Sequence, residues 1–343
     1  MKIGLTEVGG SAPCFIIAEI AQAHDGSLGS AHAYIDAVAK TGVNAIKFQT
    51  HIAAEESSPL DVFRVNIFPQ DKTRYDYWRR MEFSPEQWKD LCDHANEKGL
   101  IFLSSAFSNQ AVRILESINM PAWKIASGEI NNFPMIEEMA RSKKPFLISS
   151  GMSSFAEIDN AVNFIDSLGC ESAVFQCTTS YPCPPEEIGL NILDEMQEKF
   201  QRPIGLSDHS GTPYPALAAA SLGIDLLEIH AVLSKDSFGP DTSSSLTISE
   251  LTELVRGIRY IEKMLNSPID KDAQANSKVD LKMLFSKSLY SKSDLRIGHV
   301  LLENDIAIKK PGNGMPANDI KKIIGKKLTK DILLDSPFTK EHF

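Results

Sequence analysis

Two histidines, two lysines and a glutamate stand at or just past the ends of short apolar runs in this chain. His209 and His230 close consecutive runs, 21 residues apart, so that their imidazoles can converge. Two neutral imidazoles leave several positions open on a divalent ion, as a catalytic metal site requires, and such an ion can polarise a carbonyl. The alternative is a pair of strand-end histidines satisfied by hydrogen bonds. Lys47 and Lys124 close two other runs amid Phe, Trp and Ile. They are candidates for holding an anion, against the alternative that lysines at strand ends snorkel to water. Glu129 follows Ser127-Gly128, where the glycine would let the backbone turn so that the carboxylate faces the same opening. A carboxylate there could take a proton from water, or it could pair with Lys124.

These side chains need a scaffold that brings distant run ends together. Eight apolar runs end at Ala18-Glu19, Lys47-Phe48-Gln49, Ser104-Ser105-Ala106-Phe107, Lys124-Ile125-Ala126-Ser127, Ser149-Ser150-Gly151, Gln176-Cys177-Thr178-Thr179, Ser207-Asp208-His209 and Glu228-Ile229-His230. Amphipathic stretches at 30–41, 84–98 and 157–168 alternate with them, apolar residues recurring at helical spacing. Strands alternating with helices predict an α/β fold, a (β/α)8 TIM barrel, whose strand ends gather at one mouth. Ser84-Pro85-Glu86-Gln87 carries the cap, first-turn proline and acidic first turn of a helix start. Residues 2–13, with Gly9-Gly10 between apolar stretches, predict a hairpin at the barrel floor. The polar, aromatic-bearing connection 50–83 is long enough for a lid or binding loop, or for a surface excursion. The barrel is expected over 1–265, a linker over 266–282 and a small β-rich domain over 283–343. Residues 287–343 hold 10 lysines and a single arginine, which suits an acidic partner surface or an anionic ligand.

Net charge −10 and pI 5.4 argue against broad binding to nucleic acid or anionic membranes, while leaving room for a local basic pocket. The start of the chain lacks a secretory pattern, and the apolar stretch 216–229 contains Asp225 and Glu228 and is too short to span a bilayer. Five cysteines without paired zinc spacing read as free thiols of a cytoplasmic protein.

Over nearly its whole length the chain resembles the sialic acid (nonulosonate) synthases. The matching segments are Ile17-Ala18-Glu19-Ile20, Ala23-His24-Asp25-Gly26, Ala45-Ile46-Lys47-Phe48-Gln49-Thr50, the run from Trp123 to Asn132, Ser150-Gly151-Met152, Cys177-Thr178-Thr179-Ser180-Tyr181-Pro182, Gly205-Leu206-Ser207-Asp208-His209-Ser210 and Gly239-Pro240-Asp241. Lys309-Lys310-Pro311-Gly312-Asn313-Gly314 and Ile324-Gly325-Lys326-Lys327 resemble that family's antifreeze-like (SAF) domain. The resemblance implies condensation of phosphoenolpyruvate with an N-acyl mannosamine-like aldose, a Mn²⁺ or Mg²⁺ ion on His209 and His230, and a domain-swapped homodimer. It further implies that Lys47, Ser105, Lys124, Ser127 and Ser150 line the phosphoenolpyruvate site. Gln49, Thr179, Tyr181 and Asp241 would meet the sugar. Glu129 would act on water, and Glu19 would hold a sugar hydroxyl, assist proton movement or pair with a lysine.

Departures from the family pattern collect at the sugar end. Lys310 stands where the family has an arginine that contacts the sugar's N-acyl group in the partner's barrel, and lysine has no planar fork for a bidentate contact. Ser105-Ala106-Phe107 replaces Thr-Pro-Phe, His24-Asp25-Gly26 replaces His-Asn-Gly, and Glu228-Ile229-His230 replaces Glu-Lys-His. The pattern predicts kept chemistry with an altered acceptor. Two competing readings are a synthase using a phosphorylated aldose and a non-catalytic sugar-binding protein on the same fold.

Overall fold

The computed structural model describes residues 1–63 and 70–343; the part of the 50–83 connection at 64–69 lies outside the described residues. The chain divides into two compact units, Met1–Asn266 and Ser267–Phe343.

In the first unit eight parallel strands close on themselves: β1 (Phe15–Ala21), β2 (Ala45–Thr50), β3 (Ile101–Ala106), β4 (Trp123–Ile125), β5 (Phe146–Ser149), β6 (Ser172–Cys177), β7 (Ile204–Asp208) and β8 (Leu226–Val232). Closure is made by β8, which pairs with both β7 and β1. The expected barrel is therefore what the chain forms. Strand residues are buried almost without exception, because helices cover the outer face and side chains fill the inner one. Ser84 caps the helix Pro85–Glu97 through its hydroxyl while Gln87 reaches back to the Ser84 N–H, closing a capping box with proline in the first turn. The stretches expected at 30–41 and 157–168 form helices Leu28–Val38 and Phe155–Ser167.

The hairpin at the floor pairs Lys2–Ile3 with Thr6–Glu7, so its turn falls at Gly4-Leu5 and not at Gly9-Gly10. Gly4, at φ +60°, takes the left-handed conformation that the tight turn needs. A hollow of about 650 Å³ lies beside this hairpin, against Gly9, Gly10 and Arg202, and contains none of the residues at the strands' polar ends.

The second unit has its own core, including Leu289, Leu301, Ile306, Ile323 and Phe338. Two antiparallel strands, β9 (Ser288–Ser291) and β10 (Ile306–Lys309), pair within the region expected to be a small β-rich domain. Where the sequence suggests a linker over 266–282, the chain forms helices Lys271–Asn276 and Val279–Phe285. Among the described residues no helix is long and apolar enough to cross a membrane.

Candidate active site at the barrel mouth

Strand register builds the site. It sets Glu19 beside Lys47 on one side and His230 on the other, and Ser105 beside both Gln49 and Lys124. Four charged side chains from β1, β2, β4 and β8 meet in the interior. The Lys47 ammonium contacts the Glu19 carboxylate, lies 3.7 Å from Glu228 Oε2 and donates to Ser105 Oγ at 3.4 Å. Lys124 Nζ lies 3.3 Å from Glu228 Oε1 and donates to Ser149 Oγ at 2.5 Å. Both lysine side chains are only 3% exposed, which removes the snorkelling alternative. A bulge in β1 turns the Ala21 N–H back onto Glu19 Oε1 at 2.7 Å, fixing that carboxylate.

Burial and charge pull these groups in opposite directions. Burial lowers Lys47 to about 7, although the Glu228 carboxylate opposes the shift. Burial works to raise Glu228, but Lys124 and then Lys47 hold it below the usual carboxylate range. Ser207 Oγ donates to Glu228 Oε1 at 3.2 Å. Glu228 therefore stays ionised between two cations, one of which can give up its proton near neutrality.

His209 follows β7 and His230 lies within β8; their ring centroids are 5.2 Å apart, edge to face. Burial lowers His209 to about 3, with His230 adding to the shift, so its imidazole is neutral. Its Nδ1 lies 2.8 Å from the Thr178 carbonyl oxygen, which can only accept. The proton is therefore on Nδ1 and a lone pair on Nε2, the tautomer that an Nε2 metal ligand requires. Tyr181 stacks on this ring and its hydroxyl meets Nε2 at 3.0 Å. Among the described residues no group of three or more His, Cys, Asp or Glu is arranged to hold a metal. The two imidazoles are therefore the candidate donors at this mouth, and the His209 Nε2 that would face an ion meets the Tyr181 hydroxyl in this structure. Cys177 lies 3.9 Å from His209 Nδ1, and burial raises its thiol, which keeps it protonated and unsuited as a ligand. Asp208 accepts from the Ser210 N–H and hydroxyl, both at 2.9 Å, which makes it a local cap.

Three placements differ from the sequence reading. Ser127 and Glu129 lie in the 3₁₀ turn Ser127–Glu129 beyond β4, and Ser150 lies one residue past β5, where Ser149 takes the contact with Lys124. Gly128 has an ordinary backbone conformation, so the 3₁₀ turn, and not glycine freedom, directs Glu129. Glu129 does not pair with Lys124; its Oε2 accepts from Asn132 Nδ2 at 2.8 Å. Gly151 is required for another reason: a Cβ there would stand 2.3 Å from Thr179 Oγ1 and 2.7 Å from Ser127 Oγ.

A cavity of about 300 Å³ is lined by Gln49, Thr179, Tyr181 and Asp241 together with Trp78, Phe107, Ser127 and His230, while the four buried charges are not among its lining residues. Trp78 comes from helix Arg74–Met81 in the long connection, which therefore supplies a wall of the site. Lys310 belongs to the second unit, where its ammonium lies 5.1 Å from the Phe285 ring centroid.

Sequence reasoning did not single out Glu228, Ser149, Ser207, Gln22, His51, Trp78 or Phe107. For Glu228 a signal existed: strand residues two apart share a face, so Glu228 must face the interior with His230. Aromatic residues in a long connection carry no comparable positional signal.

Comparison with known proteins supplies the remaining finding. The NeuB family profile matches residues 34–270, and a SAF domain profile matches residues 286–343. The chain is 34% identical to the N-acetylneuraminate-9-phosphate synthase of Homo sapiens over 339 residues, 97% of this chain and 94% of that protein. It is 30% identical to the N,N'-diacetyllegionaminic acid synthase of Legionella pneumophila over 348 residues, covering 99% and 97% of the two chains. The crystal structure of the N-acetylneuraminic acid (sialic acid) synthetase of Leptospira borgpetersenii in complex with citrate superposes with a TM-score of 0.73 at 27% identity, covering 82% of this chain and 95% of that one.

Proposed function

The chain belongs to the NeuB family, and we propose that it condenses phosphoenolpyruvate with an N-acyl mannosamine-like aldose, giving a 2-keto-3-deoxy sugar acid and inorganic phosphate. The observation that supports this reading is the pair of buried lysines, Lys47 and Lys124, that share the Glu228 carboxylate in the barrel interior, two residues along β8 from His230.

Phosphoenolpyruvate carries about three negative charges near neutrality and needs cations with short hydroxyl donors. Lys47 and Lys124 supply the cations, and Ser105, Ser127, Ser149 and Ser150 the hydroxyls. Carbon C3 of phosphoenolpyruvate attacks the aldehyde carbon, whose oxygen takes up a proton, and water adds at C2. Glu129 takes the water proton; Asn132 holds one of its oxygens and leaves the other to act. The tetrahedral adduct then loses phosphate by cleavage of the C2–O bond. Glu19 keeps Lys47 oriented and is near enough to the strand-end imidazole of His230 to assist proton movement. His209 and His230 would hold Mn²⁺ or Mg²⁺, and a bound divalent ion supplies Lewis-acid polarisation of the aldehyde. Gln49, Thr179, Tyr181 and Asp241 hydrogen-bond the sugar. In a domain-swapped homodimer Lys310 would meet the N-acyl group as a single-point cation. The reaction would take place in the cytoplasm.

A second reading concerns the acceptor. The human relative's name carries a 9-phosphate, and three carbons gained from phosphoenolpyruvate turn a sugar's C6 into C9, so a 6-phosphorylated N-acyl mannosamine is the other candidate. The test is a panel of free and 6-phosphorylated N-acyl mannosamines with phosphoenolpyruvate and Mn²⁺, following phosphate release and product mass. A product three carbons longer supports the reading and identifies the acceptor. Absence of product with every sugar and metal, while sugar binding persists in calorimetry, supports the non-catalytic alternative instead.

A further inference from the structure

His51, just beyond β2, is buried at the edge of the cavity and contacts no position assigned to chemistry other than Gln49. Its ring is sandwiched between Trp78, 3.9 Å away at 17°, and Phe107, 4.4 Å away at 10°. Its Nδ1 lies 2.6 Å from Glu56 Oε1. On the other side its Nε2 lies 2.8 Å from Gln22 Nε2 and 3.2 Å from Gln49 Oε1. Gln22 Nε2 also donates to Gln49 Oε1.

We infer that His51 is a positioning residue that sets the amide orientation of Gln22 and Gln49, and through them the hydrogen-bond pattern shown to the acceptor sugar; this rests on the functional reading above, which puts Gln49 at the sugar. An ionised carboxylate only accepts, so Glu56 holds the proton on His51 Nδ1. Nε2 then carries a lone pair, and the Gln22 NH2, 2.8 Å away, must face it; the 3.2 Å approach of Nε2 to Gln49 Oε1 is then a contact between two acceptors that share the Gln22 NH2, not a hydrogen bond. The second Gln22 N–H fixes Gln49 Oε1. Among the described residues this leaves Gln49 Nε2 and Gln22 Oε1 without partners, and both glutamines line the cavity. The wall therefore offers a donor and an acceptor side by side, the pattern that two neighbouring sugar hydroxyls match. A proton on His51 Nε2 would face Gln22's NH2 donor to donor. Gln22 would have to turn its carbonyl toward the imidazole, and its NH2 would enter the cavity where an acceptor stood. The Trp78 and Phe107 faces hold the ring in the plane that this relay needs.

The test uses the full-length protein and two variants. His51→Phe keeps a ring between Trp78 and Phe107 but removes both nitrogens, and Glu56→Leu removes the carboxylate without touching the cavity. The sugar KM should rise about tenfold in each, while the phosphoenolpyruvate KM stays within twofold. Independently, ¹⁵N-histidine NMR of the wild type, with His51 assigned by its loss in His51→Phe, should show Nδ1 protonated and Nε2 unprotonated. An unchanged sugar KM, an equal rise in both KM values with a lowered Tm, or a proton on Nε2 overturns the inference. If the wild type makes no product, the functional reading fails, and the tautomer still decides whether His51 sets the amides.

Discussion

If Lys47 holds phosphoenolpyruvate as proposed, it ties the affinity for that anion to pH in a way the wild type and its variants can test. An anion is held by the protonated amine, and burial lowers Lys47 to about 7. Because the folded-state value is depressed, the cation is present below about pH 7 and is lost as the pH rises through it. Each unit above that point removes a factor of about ten in cation population, so the phosphoenolpyruvate KM should climb about tenfold between pH 7.5 and 8.5. Lys47→Arg replaces the amine with a guanidinium that stays charged, so its KM, whatever its absolute value, should be flat over the same range. Glu228→Gln should move the break downward. At the observed 3.7 Å and an effective dielectric of about 20, Coulomb's law gives ~4.5 kcal/mol, on the order of three pH units. The assay is phosphate release at varied phosphoenolpyruvate and saturating sugar, from pH 6 to 9, with activity loss from unfolding excluded by circular dichroism. A KM that does not change between pH 7 and 9, or one that rises equally in Lys47→Arg, refutes the argument.

Other expectations follow from the same geometry. His209→Ala should abolish metal-dependent phosphate release and weaken Mn²⁺ binding; an unchanged rate in metal-stripped variant protein would sink the metal assignment. Glu129→Gln keeps an acceptor for Asn132 but cannot take a proton, so kcat should fall about 10²–10⁴-fold with both KM values nearly unchanged, and a wild-type kcat would remove Glu129 from the water step. Lys124→Met takes one of Glu228's two cations and leaves Lys47, so it should cost less than the roughly 3–5 kcal/mol of a fully unpaired buried charge in denaturant unfolding, part of which Glu228→Gln restores in the double variant. Additive losses in that cycle would mean that the two side chains are not coupled.

The barrel was legible because its determinants are local. Apolar runs of strand length each end in polar residues, and Ser84 and Gln87 cap their helix through groups three residues apart. The site was legible only as far as strand ends report it. Lys47 and Lys124 share the Glu228 carboxylate and His209 lies against His230, but the partner of Lys124 does not follow from neighbouring strands. Glu228 reaches it from β8, on the opposite side of the barrel from β4, and only closure of the sheet brings them to 3.3 Å. Ser149 and Ser150 differ by one residue, and choosing between them needs the strand's end and pleat, which the sequence pattern left open by that one residue. The aromatic wall from Trp78 and the surroundings of His51 depend on where helix Arg74–Met81 packs against the strand ends, and no periodic pattern encodes that placement.

The arrangement of charges also explains why an anion site in an acidic protein contains carboxylates. Lys47 buried without a carboxylate would lose its proton more readily, since desolvation already brings it to about 7 even with Glu228 opposing the shift. Glu19 and Glu228 pair with the two ammonium groups and hold them in place. The same carboxylates repel an incoming phosphoenolpyruvate, so the site favours a ligand whose several charges can outcompete two fixed carboxylates. Glu228 therefore trades affinity for the protonation state of Lys47. Its removal should have opposite effects on either side of the wild-type break: tighter binding at a pH low enough to keep Lys47 charged without it, and weaker binding near neutrality. A single-direction change across the whole range would show that Glu228 acts on the anion alone and not through Lys47.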